Sequence, residues 1–190
     1  MEVEVHTLSV LVQNQAGVLA RVIGLFSGRG YNIESLTVAE VDGQAHVSRI
    51  TIVTSGSPQI IEQIKHQLMR LVPVNSVVDL TVETDAVERE LALVKVVSKG
   101  EKRVEALRVS QVFRAHVVDT THESFVFELT GAPDKINAFV NLMRPLGVKD
   151  VSRTGVAAIS RGIELKKEKV PSNLATKGKM LTAGTEKERQ

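Results

Sequence analysis

Few residues in this chain of 190 could do chemistry, and the most suggestive are uncharged amides. Asn14 precedes Gly17 and an apolar stretch, and Asn32 follows that stretch beside Ile33. A turn leading into a helix leaves backbone N–H groups without intrahelical partners, and these favour an anion such as a carboxylate. Gly17 lets a ligand approach the backbone closely. An asparagine offers one acceptor and two donors without charge, a fitting complement to a small zwitterion carrying both ammonium and carboxylate. The plainer roles are local: Asn14 capping the helix or a turn, and Asn32 tolerating the conformation that follows a helix.

Other chemistries have weaker support. His116 and His122 are the histidines near further ligand types, Asp119 and Glu123. These four straddle an expected hairpin turn, where Asp and Thr serve local hydrogen bonds. A metal needs converging ligands with a supporting shell, so none is expected. No serine lies in a G-x-S-x-G turn and no triad can be drawn, so no catalytic residue is expected either. Glu88/Glu90 fall in an expected connection and Glu101/Glu105 at a helix start, where the dipole favours acids; acid–base catalysis would also need a cleft that shifts their pKa values. The run "GLFSGRG" from Gly24 to Gly30 resembles a phosphate loop only superficially, because its glycines lie in and after a helix. Aromatics make up only 3% of the chain, too few for a sheet that stacks bases.

Composition narrows the class further. The absence of cysteine removes disulfides, zinc knuckles and thiol nucleophiles, and fits a reducing compartment. The N-terminus alternates like a strand without a signal-peptide layout. No apolar run approaches the roughly 20 residues of a membrane span. A cytoplasmic protein with no membrane contact is therefore expected. Residues 166–190 hold seven of the 24 Lys/Arg and three of the 22 Asp/Glu, which leaves 17 basic and 19 acidic residues in positions 1–165. The folded part is thus mildly acidic, and the basic character reads as a disordered tail at 164–190 rather than a footprint for nucleic acid.

The elements that position the amides follow from periodicity. Val5 to Val12 alternates as a strand, and Val18, Leu19, Val22, Ile23, Leu25 and Phe26 recur as one helix face stopped by Gly28 and Gly30. Ile33–Val41 and Ala45–Val53 read as a hairpin around Asp42-Gly43, Ser57-Pro58 opens a second helix, and Val74–Val82 is a fourth strand. The order then repeats: Leu91–Val97, Glu101–Phe113, Ala115–Val118, Ser124–Leu129, Pro133–Met143 and Lys149–Val156. These patterns predict an α+β chain of two ferredoxin-like βαββαβ domains, at 1–83 and 91–163, joined by a polar linker at 84–90. Helices cover one face of each sheet. Units of this size are near the limit of independent stability, so edge or face pairing with another copy is expected.

The stretch "LSVLVQNQAGVLARVIGLFSGRGYNIESLTV" with "SRITIV" closely resembles the ACT domain of the small regulatory subunit of acetohydroxyacid synthase (acetolactate synthase). Similarity continues through "LVKV" at Leu93–Val96, "FRAHVVD" at Phe113–Asp119 and "RTGVAAISRG" at Arg153–Gly162, covering about residues 5 to 163. The resemblance implies a chain without an active site or cofactor of its own. It would activate a separate large subunit that uses thiamine diphosphate, Mg²⁺ and FAD to condense two pyruvates to acetolactate, or pyruvate with 2-oxobutyrate. It implies feedback inhibition by valine, sometimes with leucine or isoleucine, in branched-chain amino-acid synthesis. Carried over by motif, the effector site maps to Asn14, Gly17, Val18, Leu19, Asn32 and Ile33, with the ligand between the ACT domains of a homodimer. A free-standing ACT-type sensor that controls another protein is the alternative; a second module disfavours it, as the lack of a polar catalytic cluster disfavours an enzyme.

Overall fold

The computed structural model describes residues 3–43 and 46–162, with the side chain of Asp42 excepted. The basic segment expected at 164–190 lies outside the described residues. The first unit contains β1 (Glu4–Gln13), α1 (Val18–Arg29), β2 (Ser35–Asp42), β3 (Val47–Gly56), α2 (Pro58–Met69) and β4 (Val74–Asp79). Its strands pair antiparallel in the order β2-β3-β1-β4, leaving β2 and β4 as edges. Alternation in β1 sends Leu8, Val10 and Val12 toward the helices, where they join Val22, Phe26, Ile61, Ile64 and Leu68 in one core. Gly30 ends α1 in the left-handed conformation, and Pro58 occupies the first turn of α2 after Ser57.

The second unit repeats the order with β5 (Ala86–Val97), α3 (Glu101–Phe113), β6 (His116–Thr120), β7 (Ser124–Gly131), α4 (Pro133–Gly147) and β8 (Val148–Arg153). These strands run β6-β7-β5-β8 around a core of Val94, Val96, Phe127, Phe139 and Met143. Both units are therefore ferredoxin-like, as the periodicity predicts.

Three boundaries differ from the sequence expectation. The fourth strand stops at Asp79 rather than Val82. The segment expected as a linker at 84–90 is largely strand, since β5 begins at Ala86, and the final strand stops at Arg153. After Gly155 the chain forms an unanticipated β9 (Ala157–Ser160), which pairs with Ala86–Arg89 of β5.

This β5–β9 ribbon explains what happens to the face of the first sheet that the helices leave bare. Val53 and Leu80 pack with Val156 and Ala158 in a separate apolar cluster. Thr7, Ser9 and Thr51, whose strand neighbours point to the helices, are each only 4% exposed. Two hydrogen bonds latch the ribbon to the edge strand: Val156 N–H donates to Ser35 Oγ at 3.0 Å, and Thr37 Oγ1 donates to the Val156 carbonyl at 3.0 Å. Face pairing with another copy is thus unnecessary for the first sheet, because its own chain covers it.

Gly155 makes the latch possible. Its φ is +81°, and a Cβ there would lie 2.7 Å from Ser35 Oγ and 3.0 Å from Thr37 Cγ2. Gly155→Ala should lower unfolding stability by about 1–3 kcal/mol through backbone strain and this clash. Urea denaturation checks it, and an unchanged midpoint would mean that the latch contributes little.

Candidate effector site

Asn14 directly follows β1, and its N–H donates to the His46 carbonyl at 2.7 Å, at the end of the sheet where β3 begins. Its side chain is exposed and makes no hydrogen bond among the described residues. The helix N-cap is instead Gly17, at φ 82°, and no side chain caps it. A side chain there would be strained although the space beside it is open. The N–H groups of Leu19 and Ala20 in the first turn of α1, which have no acceptor among the described residues, therefore stay available to a carboxylate.

Asn32 sits at the other end. Its carbonyl accepts from Thr54 Oγ1 at 2.6 Å, its side chain is exposed, and its φ is not positive. Gly30, not Asn32, takes the left-handed position after α1. Neither asparagine, then, performs the local duty that would explain it within one chain. Ile33 is half-buried against the first core and Leu19 is 38% exposed. Val18, mapped to the site from the sequence, is instead a core residue, and its N–H is held by the Gln15 carbonyl at 3.3 Å. Its side chain thus packs in the core, and its backbone supports the turn.

Within one chain the two amides do not meet. His46, beside Asn14, just precedes β3 and Thr54, beside Asn32, lies near its end, so at about 3.3 Å of rise per residue they are on the order of 25 Å apart. Between the two ends runs the free edge of β2. Leu19 and Ile23 on α1 and Val38 on β2 are each about two-fifths exposed, with Val38 paired to Ile50 on the helix side of the sheet.

The remaining candidates are placed elsewhere. Glu123 pairs with Lys99 at 2.5 Å and His116 stands opposite Glu128 in β6–β7; among the described residues no three His, Asp or Glu side chains are grouped to hold a metal. A cleft of about 790 Å³ lies between the two units and includes Glu34, Glu88, Glu90, Asp134 and Arg153. Glu90 is not in a solvated linker. Both of its carboxylate oxygens accept from Arg153, which also donates to Asn137 Oδ1 at 2.9 Å. Hydrogen bonding to Glu90 raises the Arg153 pKa above its ordinary value, outweighing the opposing effect of burial. The pair fastens β8 to β5. Ser35, Thr37, Gly155 and Val156, which join the units, escaped the sequence reading because partners about 120 residues apart leave no local signal.

The fold and this turn define a tandem regulatory architecture with an ACT-type first module. Residues 8–76 match the family model described as an AHAS small subunit-like ACT domain, and residues 89–162 match the model for the small subunit of acetolactate synthase. The chain belongs to the acetolactate synthase small-subunit family. It is 46% identical over 157 residues to the probable acetolactate synthase small subunit of Archaeoglobus fulgidus, covering 83% of this chain and 97% of that protein. The isozyme 3 small subunit of Escherichia coli K12 is 45% identical over 156 residues, covering 82% and 94%. The crystal structure of the Thermotoga maritima small subunit superposes with a TM-score of 0.74 at 37% identity, covering 85% of this chain and 99% of that one. Among the described residues no helix is long and apolar enough to cross a membrane.

Because neither amide side chain bonds to any of the described residues, Asn14→Ala and Asn32→Ala should each change unfolding stability by less than about 0.5 kcal/mol. A structural cap would instead cost about 1 kcal/mol. Thermal or urea unfolding of the two variants separates these outcomes.

Proposed function

We propose that this chain works in the cytoplasm as the subunit that activates a separate acetolactate synthase large subunit and makes it sensitive to valine. Thiamine diphosphate, Mg²⁺ and FAD would belong to the large subunit, with no cofactor on this chain. In this reading the first unit pairs with a second copy through the β2 edge, and Leu19, Ile23 and Val38 fill the seam.

The observation that supports the reading most is the placement of Asn14 and Asn32 at opposite ends of one sheet, beside a free edge strand. A two-fold axis across the middle of β2 would set the Asn32 end of one protomer against the Asn14 end of its partner. Each seam site then receives the Gly17 turn, Leu19 and Asn14 from one chain and Asn32 with Ile33 from the other. The helix N–H groups meet the carboxylate, the amides take up the ammonium, and Leu19 and Ile33 contact the branched side chain.

Inhibition is a linkage effect. Valine favours one arrangement of the paired units, that arrangement activates the large subunit less, and the large subunit must weaken valine binding by the same factor. Ser35 and Thr37, three and five residues beyond Asn32, bond to Val156, so a shift at the seam has a direct mechanical route into the second unit.

The test is to mix the purified chain with an acetohydroxyacid synthase large subunit and measure acetolactate formation with and without valine. Wild type should raise the rate and valine should reverse the gain. Asn14→Ala and Asn32→Ala should keep the activation and lose the valine response. Unchanged inhibition in both variants would remove the site assignment, and no activation by wild type would remove the function.

A further inference from the structure

A groove of about 510 Å³ between α1 and α2 is lined by Arg21, Leu25, Arg29, Gln67, Arg70 and Leu71. All three arginines are exposed, and none has an ion pair or side-chain hydrogen bond among the described residues. No carboxylate lines the groove. This concentration of positive charge occurs although the formal balance of residues 1–165 is two negative charges.

Helix dipoles account for part of it only. Arg29 and Arg70 lie at the C-terminal ends of α1 and α2, where cations are favoured. Arg21 is the fourth residue of α1, near the positive end of the dipole, and the first turn of α1 holds no acid to balance it. Three guanidinium groups around one groove repel one another unless an anion is supplied from outside. The arginines are accompanied by apolar side chains: half-buried Leu71 at the groove beside the core residue Leu25, with Met69 50% and Val72 94% exposed next to Arg70 and Leu71 in the chain. An inorganic anion would neutralise the charge and leave that surface wet. Interfaces between proteins combine Arg and Met with apolar contacts, and a guanidinium binds a carboxylate through two parallel hydrogen bonds.

Elimination points the same way. The outer face of the first sheet lies under the β5–β9 ribbon, and the β2 edge with Leu19, Ile23 and Val38 faces the second copy in the proposed dimer. The helix layer around Arg21, Arg29 and Arg70 is engaged by neither and is open to a different partner.

We infer that this groove docks an acidic segment of the catalytic large subunit, its carboxylates on Arg21, Arg29 and Arg70 and its apolar side chains on Leu71, Met69 and Val72. The inference rests on the function proposed above. It implies that part of the affinity between the subunits is electrostatic and weakens with salt.

The experiment titrates the large subunit with the full chain, wild type or with Arg21→Gln, Arg29→Gln and Arg70→Gln combined, at low and high salt. Acetolactate formation and light scattering report the complex, and calorimetry of each free chain reports valine and inorganic pyrophosphate. The triple variant should need about tenfold more chain to saturate the large subunit and should lose most of the salt dependence, while valine binding to the free variant stays unchanged and shows that it is folded. Saturation at the wild-type concentration with wild-type salt dependence would overturn the inference while leaving the function intact. The same holds if pyrophosphate binding is lost in the variant but large-subunit affinity is not, since the groove would then serve a small anion. Failure of the wild-type chain itself to bind the large subunit would overturn both.

Discussion

A four-stranded sheet with helices on one side has a second face that must be covered or tolerate water, and the way this chain covers it determines the rest of the molecule. The ribbon of β5 and β9 crosses the outer face of the first sheet and buries Val53, Leu80, Val156 and Ala158 together. One continuous strand, β5, belongs at its start to that ribbon and further along to the centre of the second sheet. The two units are therefore joined through packing and the hydrogen bonds of Ser35 and Thr37 to Val156, as well as by chain continuity. Covering the outer face from within leaves the two sheet edges, β2 and β4, and a helix layer as the exposed surfaces of the first unit.

That arrangement gives the two asparagines their meaning. In one chain they are separated by the length of β3, each exposed and each without an intramolecular role for its amide. Alongside β3 runs β2, an edge strand with unpaired backbone groups, a feature that proteins normally blunt or use. Antiparallel pairing of two such edges turns opposite ends of one sheet into neighbours across a seam. It also brings the exposed Leu19, Ile23 and Val38 together with their counterparts. Ser35 and Thr37 then connect the seam to the ribbon, and the ribbon to the second unit.

Much of this was legible in the sequence where the signal was local. The alternation of Leu8, Val10 and Val12, the three- and four-residue spacing in α1, and Ser57-Pro58 each reflect one element's own periodicity or cap. The turn at Gly17 was legible because a left-handed position before a helix favours glycine. What escaped was set by distant partners. Glu88 and Glu90 made residues 84–90 look like a solvated linker, yet Glu90 is buried because Arg153, 63 positions away, neutralises it. The four residues of β9 are too few to show a period, and Val156 and Ala158 are apolar for the sake of a sheet in the other unit. Val18 was assigned to the ligand by family motif, but its place on the inner face of α1 commits its side chain to the core.

The claim that each site is shared between chains is tested most directly by calorimetry of valine on a mixed dimer, with Asn14→Ala in one protomer and Asn32→Ala in the other. A shared site leaves one seam with both amides intact and the other with neither, so the mixed dimer should bind valine with wild-type affinity at half the wild-type stoichiometry. A site built within a single chain would be damaged in both protomers, and the absence of any wild-type-affinity binding in the mixed dimer would contradict the account.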